Sequence, residues 1–115
     1  MDHPGIFFEN SGDDERRKMD KSFCVYILAS KQNGTLYIGV TSDLPKRIWE
    51  HKEGVAEGFT RKYGVKTLVY YEPCDSAETA IHREKRLKKY RREAKIKLIE
   101  EQNPDWKDLY EEICK

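Results

Sequence analysis

The feature that most constrains the fold is an Asn-Gly pair between two apolar segments. The first segment, residues 22–29, is rich in aromatic and β-branched side chains, and the second covers residues 36–40. Asn33-Gly34 between two such segments is the strongest short-range signal for a tight hairpin. We therefore expect the folded part of the chain to begin with two antiparallel strands.

A helix is predicted directly after the hairpin. Asp43 offers a side-chain oxygen that can cap its first turn, and Pro45 suits the first helical positions. Leu44, Ile48 and Val55 have the spacing of an apolar helical stripe. We expect this helix to end near residue 54 or 58, where glycines occur.

The second half of the chain predicts one more strand and then helices. Residues 67–72 are apolar and β-branched, and Pro73 ends this strand. A long helix follows up to Asn103-Pro104, and a last short helix covers residues 105–113. The predicted order is β-β-α-β-α-α. The fold class is α/β (α+β), with a small three-stranded antiparallel sheet flanked by helices.

The length of 115 residues fits one domain, which we place at residues 21–113. Residues 1–20 are polar and acidic and predict a flexible leader, within which Met19 is a candidate for the true start. No apolar run approaches the roughly 20 residues that cross a bilayer, so we expect a cytoplasmic protein without a membrane partner. The three cysteines are widely spaced and predict no zinc site.

Positive charge is concentrated in one stretch of the predicted long helix. Residues 83–97 contain nine basic and two acidic side chains, although the net charge of the whole chain is only +1. Such a stretch can bind a phosphate backbone and release its counterions. It can equally be a solvated helix face, and charge alone does not decide between the two interpretations.

Three side chains on the predicted helices can carry chemistry. Arg47 and His51 are four residues apart and therefore share one helix face, where they form a phosphate-handling pair or simply exposed surface. Glu84 falls on the apolar stripe of the long helix, where a carboxylate is costly unless it is paired or binds a metal. Pairing with a basic neighbour and anchoring of a hard divalent cation are about equally favoured.

Tyr26 and Tyr37 lie on the two strands of the predicted hairpin. Taken alone, they are most simply a cross-strand aromatic pair. A tyrosine can also act as a general base when a nearby cation lowers its pKa.

Two triplets and a downstream arginine resemble the signature of the GIY-YIG nuclease superfamily. Cys-Val-Tyr at 24–26 stands where Gly-Ile-Tyr is usual, and Tyr-Ile-Gly at 37–39 followed by Arg47 is intact. The segments Glu-Gly-Phe-Thr-Arg-Lys-Tyr at 57–63 and Asn-Pro-Asp-Trp-Lys-Asp-Leu at 103–109 are similar to compact, stand-alone bacterial members related to the N-terminal catalytic domain of excinuclease C. The resemblance covers about residues 22–112.

The resemblance implies a role for each candidate. Tyr26 and Tyr37 line the site, and Tyr26 helps to deprotonate the attacking water, directly or with His51. Arg47 stabilises the charge on the scissile phosphate. Glu84 holds one Mg²⁺ or Mn²⁺ ion. His51 is expected to titrate near the ordinary histidine pKa of about 6.5.

Further positions are expected to contact nucleic acid. Gly39 lets the backbone pass close to the site. Val40 stands where some relatives carry a lysine, so Lys62 or Lys88 is expected to supply that cation. The basic helix guides the backbone through Lys85, Lys88, Lys89 and Arg92.

The resemblance implies a metal-dependent endonuclease that hydrolyses DNA phosphodiester bonds in repair or recombination, with selectivity for structure or only weak specificity. Its partners are then DNA and, for added affinity, a second copy or another repair protein. The alternative is a catalytically weak protein that binds nucleic acid or assists a repair complex.

Overall fold

The computed structural model describes residues 23–55 and 58–114, so the predicted leader and the candidate start at Met19 lie outside the described residues. Its centre is a three-stranded antiparallel sheet in the order β2-β1-β3. The strands are β1 (Phe23–Ala29), β2 (Leu36–Thr41) and β3 (Thr67–Cys74). This confirms the predicted sheet and the α+β class.

The hairpin between β1 and β2 is confirmed, but its loop is longer than a tight two-residue turn. Residues 30–35 form the loop, in which Ser30 N donates to Thr35 O at 3.0 Å and Gly34 N donates to Lys31 O at 2.9 Å. Asn33, with φ of 59°, adopts the left-handed conformation. Gly34 is needed for space, because an added Cβ would lie 2.4 Å from Ser30 Oγ.

β3 extends past its predicted end at Pro73. Pro73 pairs with Cys24, and Cys74 pairs with Phe23. The proline is tolerated because β3 is an edge strand, so its missing N–H interrupts no ladder on the outer side. A shift in register between Ile27 and Leu28 marks a β-bulge in this pairing.

Two helices lie between β2 and β3, where one was predicted. Helix α1 is Leu44–Lys52 and begins as expected, with Asp43 Oδ1 accepting a hydrogen bond from Lys46 N at 3.3 Å. Helix α2 is the short Phe59–Tyr63. The inclusion of Val55 in the apolar stripe was wrong: it lies beyond α1 and is exposed.

The predicted long helix is divided in two. Helix α3 is Ala77–Lys88 and helix α4 is Arg92–Gln102, with three non-helical residues between them. The last helix, α5, is only Tyr110–Ile113. It starts later than predicted because Trp106 is buried with φ of 55°, a left-handed conformation that a helix cannot contain.

Each face of the sheet has its own core. The α3 face carries Val25, Ile27, Ile38 and Val40, and packs against Ala80, Leu87 and Ile99 of α3 and α4. The tyrosine face carries Cys24, Tyr26, Leu28 and Tyr37, and packs against Leu44 and Ile48 of α1. Across the described residues, no helix is both long and apolar enough to cross a membrane.

Candidate active site

Tyr26 lies at the centre of the tyrosine face because Gly39 leaves room for its ring. The two residues are paired across β1 and β2. A Cβ on Gly39 would lie 2.5 Å from both Cζ and Oη of Tyr26, closer than non-bonded atoms approach. Gly39 was predicted to let nucleic acid approach; in the structure its missing side chain makes space for the Tyr26 phenol.

A chain of hydrogen bonds starts at this phenol. Tyr26 Oη lies 3.1 Å from His51 Nε2, and His51 Nδ1 lies 3.0 Å from Thr60 Oγ1. All three side chains are buried. The central strand, α1 and α2 each supply one member, so the three elements together fix the imidazole.

The pKa shifts indicate the charge states of the side chains in this chain. Burial raises the pKa of Tyr26 to about 12, an effect that Arg47 partly opposes. Burial and the charge of Arg47 lower the pKa of His51 to about 3. The expected titration of His51 near 6.5 is therefore wrong, because the ring is enclosed. At neutral pH Tyr26 is therefore protonated and His51 is neutral. In the tautomer with the ring proton on Nδ1, Tyr26 Oη–H donates to Nε2 and Nδ1–H donates to Thr60 Oγ1.

Tyr37 lies beside this chain. Its ring centroid is 6.3 Å from that of Tyr26 and 5.6 Å from that of His51. Its hydroxyl is buried and makes no hydrogen bond of normal geometry with a described residue. Burial, followed by the effect of Tyr26, raises the pKa of Tyr37, so it is a neutral donor at neutral pH.

Arg47 supplies the positive charge of the site. Its Nη1 donates to Glu50 Oε1 at 2.9 Å, and its side chain is largely buried. Burial opposes its charge, but Tyr26 and Glu50 outweigh that effect and raise its pKa. Arg47 is therefore a fixed guanidinium, charged at every accessible pH and held beside the two tyrosines.

Glu84 is fully buried on α3, as the stripe pattern predicted, with an exposed fraction of 0%. Its Oε2 lies 2.8 Å from Nζ of Lys88, one turn further along the helix. The charge of Glu84 raises the pKa of both Tyr26 and Tyr37, which brings the carboxylate into the electrostatics of the site. The sequence left open whether Glu84 pairs with a basic neighbour or binds a metal. The structure shows the pairing, and the basic neighbour is Lys88.

The donor chemistry around Glu84 also fits a hard divalent cation. A carboxylate is the protein ligand that Mg²⁺ and Mn²⁺ prefer, and these ions often take only one or two of them. The Lys88 ammonium already places a positive charge against this carboxylate. Among residues 23–55 and 58–114, no three His, Cys, Asp or Glu side chains cluster as metal ligands. A cation at Glu84 would therefore complete its coordination with water and substrate oxygens.

The predicted nucleic-acid contacts are spread over three places. Lys62 lies on α2, while Lys85 and Lys89 are exposed on or just after α3. Arg92 instead holds the hairpin loop, because its Nη2 donates to the carbonyl oxygens of Asn33 at 2.7 Å and Gly34 at 2.6 Å. The structure thus gives Arg92 a structural contact in addition to its predicted role.

Sequence reasoning missed Thr60 and Glu50. Glu50 follows Arg47 by three residues, a spacing that could have identified it as the partner of the guanidinium. Thr60 had no comparable signal, since it reaches His51 only because α2 folds back against α1. Both residues orient groups of the site through hydrogen bonds.

The chain belongs to the GIY-YIG catalytic domain family. The family matches residues 22–97, which include every catalytic and metal-binding candidate named above. Membership implies a nuclease. It also confirms the resemblance derived from the two triplets and Arg47.

Relatives of similar size share most of the chain. A UPF0213 protein of Staphylococcus saprophyticus is 39% identical over 83 residues, which cover 72% of this chain and 99% of the relative. A UPF0213 protein of Clostridium perfringens is 41% identical over 75 residues, covering 65% and 80%. A third, from Haloquadratum walsbyi, is 38% identical over 77 residues, covering 67% and 85%. No solved structure is significantly similar to this chain.

Proposed function

We propose that the protein is a metal-dependent endonuclease that hydrolyses phosphodiester bonds in DNA. The observation that carries this proposal is the buried chain Tyr26–His51–Thr60 lying beside the fixed charge of Arg47. A nuclease needs a group that accepts a proton from water and a cation for the phosphoryl charge, and this arrangement supplies both.

The chain of hydrogen bonds can move a proton without first forming a phenolate. Tyr26 Oη accepts a proton from the attacking water while it passes its own proton to His51 Nε2. The imidazole is positively charged only in passing, because burial and Arg47 disfavour the imidazolium, and its Nδ1–H remains bonded to Thr60. The resulting hydroxide attacks phosphorus, the bond to the 3′ oxygen breaks, and the departing oxygen takes up a proton from solvent, while His51 returns its proton to solvent through Tyr26. Because Thr60 fixes the ring, Nε2 points at Tyr26 throughout the reaction.

Arg47 and Tyr37 act on the phosphate. The guanidinium is already held by Glu50 and therefore loses little side-chain freedom when it binds a phosphate oxygen. The neutral Tyr37 hydroxyl is a further donor for the same group. A divalent cation held by Glu84 would supply Lewis-acid stabilisation of the phosphoryl charge and of the leaving oxygen.

The exposed lysines favour a nucleic-acid substrate. Lys62, Lys85 and Lys89 carry positive charge on surfaces next to the elements that form the site. Such contacts are independent of sequence and predict binding that weakens with salt. We therefore propose a weakly specific or structure-selective enzyme of DNA repair or recombination, with affinity added by a second copy or another repair protein.

Replacement of Glu84 tests the metal assignment. Glu84→Gln keeps the shape of the side chain but removes its charge, so we expect cleavage of DNA in Mg²⁺ or Mn²⁺ to fall below detection. Glu78→Gln is the matched control, since Glu78 lies exposed in the first turn of the same helix. Thermal melting of both variants checks the fold.

Two results would contradict the proposal. Full activity of Glu84→Gln would remove Glu84 from the metal site. A folded wild-type protein that binds DNA but cleaves none in either metal would favour the alternative, a catalytically weak nucleic-acid-binding protein.

A further inference from the structure

A row of aromatic rings leads from the active site to the surface. The Tyr37 and Phe59 ring centroids are 6.3 Å apart with an interplanar angle of 25°, a stacked arrangement. Phe59 and Tyr63 follow at 4.8 Å and 46°. Tyr37 is buried, whereas Phe59 is 41% exposed and Tyr63 is 50% exposed. We call Phe59 and Tyr63 the outer aromatic pair.

The outer aromatic pair lies on a positively charged helix. The whole of α2 is Phe-Thr-Arg-Lys-Tyr, which has no acidic residue, and both Arg61 and Lys62 are exposed. Lys62 Nζ lies 5.4 Å from the centroid of the Tyr63 ring. Exposed aromatic faces interleaved with cations match the chemistry of a single-stranded nucleic acid, whose bases stack while its phosphates pair with the cations.

The same helix also holds the catalytic imidazole. Thr60, directly after Phe59, bonds to His51 Nδ1 and is buried. The exposed ring of Phe59 and the proton-transfer chain at Thr60 are thus joined by a single peptide bond. Because Tyr37 stacks against one side of Phe59, a base stacked on the exposed side would be separated from Tyr37 by this single ring.

We propose that the outer aromatic pair binds an unpaired nucleobase next to the scissile phosphate. This rests on the proposed nuclease function and adds the class of substrate. Inside an intact duplex both faces of each base are covered by its neighbours, so a base can stack on Phe59 only from a single strand, a frayed end or a flipped nucleotide. The enzyme is therefore selective for DNA with an unpaired nucleotide at the cleavage site.

Binding can be measured apart from cleavage. The full-length wild-type protein, in EDTA to prevent hydrolysis, is titrated against a short single-stranded DNA that carries one 2-aminopurine and against its duplex. Stacking of the probe on an aromatic ring quenches its fluorescence. We expect quenching and tighter binding with the single strand, and little quenching with the duplex.

Substitution at position 59 identifies the stacking ring. Phe59→Leu retains an apolar side chain against Tyr37 but loses the aromatic face, and should weaken single-strand binding about tenfold and remove most of the quenching. Phe59→Trp should restore both. Trp49→Leu is the matched control, because Trp49 on the neighbouring helix α1 is 48% exposed and outside the aromatic row. Melting curves confirm that each variant is folded.

The outcomes separate this inference from the nuclease proposal. Equal losses for Phe59→Leu and Trp49→Leu, or equal quenching of single strand and duplex, would overturn the stacking site. Quenching that depends on Phe59 would support it even in a preparation that cleaves nothing in Mg²⁺ or Mn²⁺. That combination would overturn the nuclease function alone.

Discussion

The two faces of the sheet use the same three strands for different purposes. On the α3 face, alternate residues of β1 such as Val25 and Ile27 pack against apolar side chains of α3 and α4. On the tyrosine face, the intervening residue Tyr26 packs against a buried histidine and lies beside Arg47. Because successive side chains of a strand point to opposite faces of the sheet, the seven residues of β1 contribute side chains to both cores.

The difference shows where polar groups are tolerated. The tyrosine face buries an arginine, a histidine and two phenols, which are costly unless their polar atoms are paired. Pairing through Glu50 and Thr60 offsets part of this cost. Among the described residues of the α3 face, the buried charge is that of Glu84, and it is paired with Lys88. We infer that the apolar residues of the α3 face mainly provide stability, whereas the tyrosine face, together with Glu84, mainly provides activity.

The largest expected effect comes from comparing one substitution on each face of the sheet. Arg47→Ala should lower kcat by roughly a hundredfold or more at every pH, because it removes the fixed cation that stabilises the phosphoryl charge. Leu87→Ala, on the α3 face, should lower the free energy of unfolding by about 2 to 5 kcal/mol. Its kcat per folded molecule should stay close to that of wild type.

Steady-state kinetics and urea unfolding of both variants provide the measurements. Lys46→Ala is the control, because Lys46 is an exposed neighbour of Arg47. A Leu87→Ala protein that is as stable as wild type but inactive would break the division between the faces. So would an Arg47→Ala protein with unchanged kcat.

Sequence patterns predicted the parts of this arrangement that depend on local spacing. The hairpin register places Tyr26 and Tyr37 close together, and helical spacing places Arg47 and His51 on one face and Glu84 on a stripe. The contact between Thr60 and His51 could not be predicted in this way, since it depends on how α2 packs. The division between α3 and α4 was also missed, because residues 89–91 contain neither glycine nor proline.

The second prediction concerns acid sensitivity on the tyrosine face. The pKa of His51 falls to about 3 in the folded protein, from 6.5 when unfolded, so the unfolded chain binds an extra proton between these values. The stability that His51 provides is complete above about pH 6.5 and is lost as the pH falls towards 3. At about pH 5 this residue alone should reduce the free energy of unfolding by roughly 2 kcal/mol relative to pH 7.5.

Urea unfolding of wild type and His51→Gln at the two pH values isolates this contribution, since all other groups are common to both proteins. The variant should lose about 2 kcal/mol less than wild type on acidification. In addition, kcat of the wild type should show no inflection near pH 6.5. Equal acid sensitivity of the two proteins would mean that His51 is not enclosed as described.

The smallest expected effect concerns Lys88, where the α3 face meets the site. Two roles have been assigned to this residue: a contact to DNA phosphate, predicted from sequence, and the ion pair with Glu84 seen in the structure. The two roles predict different results when Lys88 is replaced. An ammonium beside Glu84 competes with a divalent cation for the same carboxylate, so its removal should tighten metal binding. A phosphate contact, once removed, should weaken DNA binding and leave metal binding unchanged.

Lys88→Met tests this competition, with Lys85→Met on the same helix as the control that removes an equal charge. The Lys88 side chain is partly exposed, so the ion pair is worth only about 1 kcal/mol. We therefore expect the dissociation constant of Mn²⁺, measured by calorimetry without DNA, to fall about fivefold in Lys88→Met and to stay near wild type in Lys85→Met. Weaker Mn²⁺ binding in Lys88→Met would exclude competition. Similar gains in both variants would reflect the loss of general positive charge, and Glu84 and Lys88 would then form a purely structural pair.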